Sequence, residues 1–195
     1  MSAMSGDFVA IDWDARLDVN AHLEAMSPNG TIKGMFPAGV VEACRLRGRT
    51  IADARERYLP FQDYPLREWV LILAGAAPIL FPRVSIRMAL RKLGRGTYDA
   101  YVKSMVGKIT FGMSADFASA LTATAKSYAI VLPPSRVEIL SIEPSRATLR
   151  FTDVANFLDS HHVGVLEGIG HAFATRIDVK VRLESISSGE FLLTW

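Results

Sequence analysis

Apolar residues recur at helical spacing from about residue 15 to residue 130 and alternate over residues 136–195, so the chain reads as a helical half followed by a mixed half. Phe8 to Ile11 suits a short strand. Asp18 to Met26 suits a short helix ending at the turn formers Ser27-Pro28-Asn29-Gly30. A helix is predicted over Ala38 to Leu46, stopped by Gly48. Thr50 is expected to cap another helix running to Tyr58, its hydroxyl accepting a free first-turn N–H, with Pro60 closing it. Pro65 suits a first helical residue, where its missing N–H has no partner to lose. Trp69, Leu73, Ala76, Ala77 and Leu80 follow at helical spacing.

Val84 to Leu93 is amphipathic. Ile86, Ala89, Leu90 and Leu93 form one face, and Arg83, Arg87, Arg91 and Arg95 form a ladder on another. Gly94 and Gly96 are expected to break this run before a second helix that buries Tyr98, Tyr101, Val102, Met105 and Ile109. Ser114 is expected to cap a helix from Ala115 to about Tyr128, and Pro133-Pro134 ends the helical half. Val137, Ile139 and Ile142, then Ala147, Leu149 and Phe151, read as a hairpin turning at Pro144-Ser145. Asp153 is expected to open a helix over residues 155–174. Ile177 to Leu183 and Phe191 to Trp195 are the last strands, joined by Ser187-Ser188-Gly189. The predicted fold class is α+β: an N-terminal helical bundle packed on a C-terminal antiparallel sheet with one crossing helix. Residues 1–29 read as an N-terminal extension and residues 30–195 as a single domain.

Hydrophobic residues make up 50% of the 195 positions and charged residues 22%, which excludes a disordered tail or a coiled-coil rod. A mean hydropathy of +0.21 points to a substantial core with an apolar patch or pocket. The single cysteine, Cys44, excludes an internal disulfide and a Cys-x-x-Cys site, and a reducing cytoplasm is expected. The longest apolar run, Trp69 to Phe81, contains Pro78 and falls short of a membrane span, so it reads as a buried helix.

The segment Arg83 to Lys108 carries seven Lys/Arg and one acid, Asp99, in a chain of net charge +2. Such asymmetry fits an anion site or an acidic partner, and equally a solvated face behind a buried stripe. Nucleic acid is not expected as a partner, because the nearby aromatics, Tyr98 and Tyr101, fall on the apolar side. Gly164, Gly168 and Gly170 lie inside the predicted crossing helix, where each glycine weakens the helix by about 1 kcal/mol relative to alanine. They read as allowing close approach of another backbone or a ligand, with tight packing of that helix on the sheet the favoured case. His161 and His162 are adjacent, diverge by about 100° on a helix and do not share a metal easily. They read as surface or hydrogen-bonded core histidines, and no metal site is expected. Asp159-Ser160-His161 has the letters of a triad, but contiguous helical residues cannot line up as one. With no nucleophile elbow and no phosphate loop, the chain reads as a non-enzyme.

The runs PFQDYPLREWVLIL and LFPRVSIRMALRKLGRGTYDAYVKSMVGK, with the closing Gly189 to Trp195, resemble an uncharacterised paralogous family expanded in myxobacteria, domain of unknown function 2378. Tyr64-Pro65, Trp69, Leu93-Gly94-Arg95, Tyr98, Gly107 and Trp195 carry the resemblance over roughly residues 30–195. That family looks related to the superfamily of TRAPP subunits, 4-vinyl-reductase domains and haem nitric-oxide-binding domains. The resemblance implies helices on one side of an antiparallel sheet, an apolar ligand cavity between them, and pairing through helices. Functional residues do not carry over. The Tyr-x-Ser-x-Arg run that holds haem propionates is absent, the terminal hairpin from Ser185 to Phe191 has no cysteine, and the context of Cys44 does not match the acylated cysteine of some TRAPP subunits.

The leading expectation is a non-enzymatic cytoplasmic sensory module without a cofactor. It would hold a small apolar or amphipathic molecule between helices and sheet, lined by Trp69, Leu73, Tyr98, Tyr101, Met105, Leu166 and Phe173. The alternative is a protein-interaction module, a dimer or signalling adaptor, that docks an acidic partner on Arg83, Arg87, Arg91 and Arg95. A haem or tetrapyrrole sensor using a helix histidine is the second alternative.

Overall fold

The structure, a computed structural model, describes residues 6–52, 54–104, 107–108 and 114–195. Among these, helix α1 (Val19–Glu24) is capped by Asp18, whose side chain accepts from the Asn20 and Ala21 N–H groups. Strand β1 (Thr31–Lys33) pairs antiparallel with β2 (Asp63–Pro65), and α2 (Met35–Arg45) lies between them in sequence. Pro65 ends β2 and caps α3 (Leu66–Leu80), which carries Trp69, Leu73, Ala76 and Ala77 in full burial.

No helix follows Thr50 among the described residues. Side chains hold that loop instead. Arg45 Nη2 donates to the Glu56 carbonyl at 2.6 Å, the Tyr64 hydroxyl accepts from Leu59 N–H at 2.8 Å, and the Tyr58 and Tyr64 rings meet edge to face at 4.9 Å. These contacts replace the ladder a helix would have made.

The break expected at Gly94 and Gly96 does not occur. Helix α4 (Ile86–Lys103) is continuous, capped by Ser85 accepting from Met88 N–H at 3.2 Å. Helix α5 (Phe117–Val131) is capped by Asp116, not Ser114, in a reciprocal box with Ser119. Those bonds hold the Asp116 carboxyl below its usual range. Met105 and Ile109 lie outside the described residues.

The hairpin is as the alternation indicates, with β3 (Arg136–Glu143) paired to β4 (Arg146–Thr152). The crossing helix is shorter than expected. α6 (His161–Ala172) starts at His161, because Asp153 (φ 58°) and Phe157 (φ 63°) adopt left-handed backbone and Val154 N–H donates to Ser187 O at 2.7 Å. That bond ties Val154 to the turn at Ser187, outside the helix.

Strands β5 (Asp178–Leu183) and β6 (Gly189–Thr194) complete a four-stranded antiparallel sheet in the order β3-β4-β6-β5. Its register sets Leu149 opposite Phe191 and Phe191 opposite Val181. Ala147, Leu149, Phe151, Phe191 and Leu193 share the buried face against the helices. On the other face the register lines up Arg150, Glu190 and Arg182, and both arginines pair with the buried Glu190. Burial pushes the Glu190 carboxyl up, but the hydrogen bonds from Arg182 and Arg150 outweigh it and hold it low.

The glycines of α6 pack against α4 as well as toward the sheet side. A Cβ built on Gly164 would stand 1.9 Å from the Arg91 carbonyl oxygen, and one on Gly168 would stand 2.9 Å from Tyr98 Cβ. Their main role is therefore a helix–helix crossing, not the helix–sheet contact the sequence favours. The N-terminal segment lies on this unit. Val9 bridges to Val181 in place of a full strand, Ser85 Oγ donates to Trp13 O, and the His22 ring meets Ala155 O at 2.9 Å.

Candidate functional site

Five helices converge on one internal cavity of about 50 Å³. Its wall is built from Phe36 on α2, Trp69 on α3, Thr97, Tyr98 and Tyr101 on α4, Tyr128 and its neighbours on α5, and His161, His162 and Val165 on α6. Ile32 of β1 and Asn156 complete it. Every one of these residues but Thr97 is buried. The cavity thus lies among the helices. The sheet stands one layer behind it, reaching it through Phe151, whose ring contacts those of Tyr128 and His162.

The wall is apolar with a few polar atoms. His162 Nδ1 and the Tyr128 hydroxyl are 2.7 Å apart, and His161 Nε2 and Thr97 Oγ1 are 3.2 Å apart. The His161 ring meets Trp69 edge to face at 5.9 Å. Among the described residues, no charged side chain lines the cavity. His161 Nδ1, His162 Nε2 and Asn156 Oδ1 are buried without a protein partner. Burial pushes the His161 pKa down to about 3 and that of His162 well below its ordinary value, so both rings are neutral at pH 7. Burial likewise pushes the Tyr128 phenol up and keeps it protonated.

The structure brings together Trp69, Tyr98 and Tyr101 from the residues expected to form a pocket. Leu73 and Leu166 are buried elsewhere in the core, Phe173 is half-buried against it, and Met105 lies outside the described residues. The polar members of the wall were not foreseen as a group. On sequence, His161 and His162 read as core or surface histidines, with a helix histidine as ligand in the haem alternative, and their adjacency is the one local signal.

The arginine ladder takes its partners from within the chain. Arg87 pairs with Asp159, while Arg91 and Arg95 share Glu167. Arg91 also stacks on Trp13 at 4.4 Å. Arg83 is exposed. Burial pushes the Glu167 carboxyl up, but bonds from Arg91 and Arg95 outweigh this and hold it below its usual range. Arg91 and Arg95 line an open groove of about 920 Å³ with Arg176, where Asp99, Glu167 and Asp178 supply three opposing charges. The groove is electrostatically balanced and is not a focused anion site. Among the described residues, no group of three His, Cys, Asp or Glu is placed to hold a metal, and no helix is long and apolar enough to cross a membrane.

Residues 25–195 match the family described as Protein of unknown function (DUF2378). The chain belongs to this family. No curated protein matches it. Its fold is that of the H-NOX proteins. The unliganded Fe(II) H-NOX protein from K. algicida superposes with a TM-score of 0.63 at 12% identity, covering 84% of this chain and 96% of that one. An H-NOX protein from S. oneidensis in the Fe(II)NO state gives 0.61 at 16% identity, over 83% and 98%. A variant of the T. tengcongensis H-NOX gives 0.62 at 14% identity, over 84% and 97%. This chain and those H-NOX proteins therefore share a fold.

Proposed function

We propose that this DUF2378 chain is a non-enzymatic sensory module that binds a small molecule in the cavity among its helices. The observation that carries this reading is the conjunction of a void with unpartnered polar atoms on buried residues of its wall. A core under selection for packing alone closes such voids, and buried polar groups almost always find partners. A site waiting for a ligand keeps both. The H-NOX-like fold supports the reading, since the S. oneidensis H-NOX protein is described with that architecture in an Fe(II)NO ligation state, holding a small molecule.

Haem itself does not fit the residues present. A void of about 50 Å³ is far below the ~300–1,000 Å³ of cofactor-sized pockets. The wall holds no lysine or arginine among the described residues to take propionates, and Tyr-x-Ser-x-Arg is absent from the chain. The adaptor reading has less support, because three rungs of the arginine ladder are spent on Asp159 and Glu167.

Xenon tests the module directly. In xenon-pressurised crystals or by ¹²⁹Xe NMR, one saturable site bounded by Trp69, Tyr128 and His162 is expected. A protein that takes up no xenon there has no ligand-accessible void, and the reading falls. Haem added to the purified chain is expected to give no Soret band of a ligated iron.

A further inference from the structure

The two edges of the four-stranded sheet differ. The outer edge of β5 is occupied: Val9 exchanges two backbone bonds of 2.9 Å with Val181, and Arg182 Nη1 donates to the Gly6 carbonyl at 3.0 Å. Strand β3 has β4 as its one neighbour, and among the described residues no backbone group bonds its other edge. Six of its eight residues are exposed, among them Leu140 and Ile142 at 39% and 41%. A bare strand edge that carries apolar side chains is a template for another strand.

A bulge gives β3 an internal symmetry. Ile139 pairs with Leu149 and Ser141 with Thr148, so Leu140 is skipped. Arg136 and Glu143 are an odd number of positions apart and would point to opposite faces of a regular strand. The skipped residue brings them to one face, because their β4 partners, Thr152 and Arg146, are an even number of positions apart. Val137 and Ile142, opposite Phe151 and Ala147, share the helix-covered face in the same way. Glu138 and Ser141, opposite Arg150 and Thr148, share the outer face. Strand β3 thus reads alike from either end, both in side-chain direction and in the direction of its backbone groups.

We propose that β3 pairs antiparallel with β3 of a second copy of this chain, joining the two sheets into one with the helices on a common face. The twofold axis passes between Ile139 and Leu140, perpendicular to the sheet, and the interface is self-complementary. In this register Arg136 of each copy faces Glu143 of the other, Val137 faces Ile142, Glu138 faces Ser141, and the exposed Leu140 faces Ile139. Among the described residues, neither Arg136 nor Glu143 has an ion-pair partner within the chain. Neighbouring registers fail. A slip of one residue in either direction sets helix-side residues against outer-face ones. A slip of two sets Glu138 against Glu143 in one direction, and in the other leaves Arg136 facing Ser141 with no countercharge.

The test uses the full chain in analytical ultracentrifugation at low salt, with amide hydrogen exchange measured above and below the midpoint of association. A concentration-dependent dimer is expected, with exchange slowed at alternate residues of β3 and unchanged in β5. Arg136→Glu and Glu143→Arg each turn both terminal ion pairs of the dimer into like-charge pairs, so each should weaken association about tenfold. The double variant Arg136→Glu/Glu143→Arg restores opposite charges across the twofold axis and should regain wild-type association. A chain still monomeric at about 1 mM overturns the proposal and leaves the edge to a strand of a different protein. A dimer with no added protection in β3 forms through another face and overturns it as well. So do single variants that associate like the wild type, or a double variant no tighter than the singles. The wild-type exchange comparison decides the question whether or not the variants fold.

Discussion

Gly94 lies flush against the backbone of His161: a Cβ built on it would stand 1.9 Å from the His161 carbonyl oxygen. Gly164 repeats the relation from the other side, against the Arg91 carbonyl. Backbone meets backbone at both points, so no rotamer change can relieve an added methyl. Alanine normally stabilises a helix relative to glycine by about 1 kcal/mol. Here the overlap dominates, and Gly94→Ala and Gly164→Ala are each expected to lose about 3 kcal/mol or more in urea unfolding. Gly96→Ala is the control, because nothing lies within 4 Å of its Cβ position, and it should be neutral or stabilising. Equal behaviour at positions 94 and 96 would refute the close crossing.

Glu167 ties the same two helices electrostatically. Its side chain is 8% exposed, while Arg91 and Arg95 are 22% and 52% exposed. The loss from removing a partner follows burial. Glu167→Gln leaves Arg91 half-buried without a full countercharge and should cost about 2 kcal/mol. Arg95→Ala removes a solvent-screened pair and should cost less than about 1 kcal/mol. Chemical denaturation at low and high salt checks both, with the Arg95 effect vanishing first as salt rises.

Helical and alternating periodicity made much of this architecture legible, because burial imposes it directly. Trp69, Leu73 and Ala76 mark α3, while Ala147, Leu149 and Phe151 mark the inner face of β4. What was illegible depends on distant partners. Gly94 looks like a helix breaker until His161 is brought against it. The start of α6 is set by Val154 bonding Ser187. The cavity wall draws on Thr97, Tyr128, Asn156 and His161, whose only common property is where the fold puts them. A periodicity argument finds the apolar part of such a wall and misses its polar atoms.

Stability should fall with acid through the buried histidines. Their folded pKa values lie below the ordinary 6.5, about 3 for His161 and well below 6.5 for His162, because burial disfavours the charged ring. Below pH 6.5 the unfolded chain takes up these protons and the folded chain does not. Each ring then removes about 1.4 kcal/mol per pH unit until its folded pKa is reached. Glu167 and Glu190, held low in the fold, lose stability in the same direction but at lower pH, below the ordinary carboxylate value. A drop in unfolding free energy of about 2 kcal/mol or more between pH 6.5 and 5.5 is expected, smaller by about 1 kcal/mol in His161→Phe. A flat profile over that interval would mean that the rings are solvated.

The route into the cavity is marked by residues that belong to two concave features at once. Phe36 and Thr97 line the internal void, and they also floor a surface groove of about 460 Å³ between α2 and α4, beside Val40, Leu93 and Ala100. The Phe36 ring rests on Tyr101 at 5.8 Å and is 7% exposed, and with Thr97 it stands between groove and cavity on that side. Phe36→Leu keeps the position apolar and should lower stability by only about 1.5 kcal/mol. Removing the ring nevertheless opens the partition. Xenon exchange, read from ¹²⁹Xe NMR line broadening, should therefore accelerate in Phe36→Leu with little change in affinity. Val131→Ala on α5 enlarges the same cavity without touching the groove, so it should raise affinity for larger probes and leave exchange rates nearly unchanged. Faster exchange in Val131→Ala than in Phe36→Leu would move the entrance to the α5 side of the bundle.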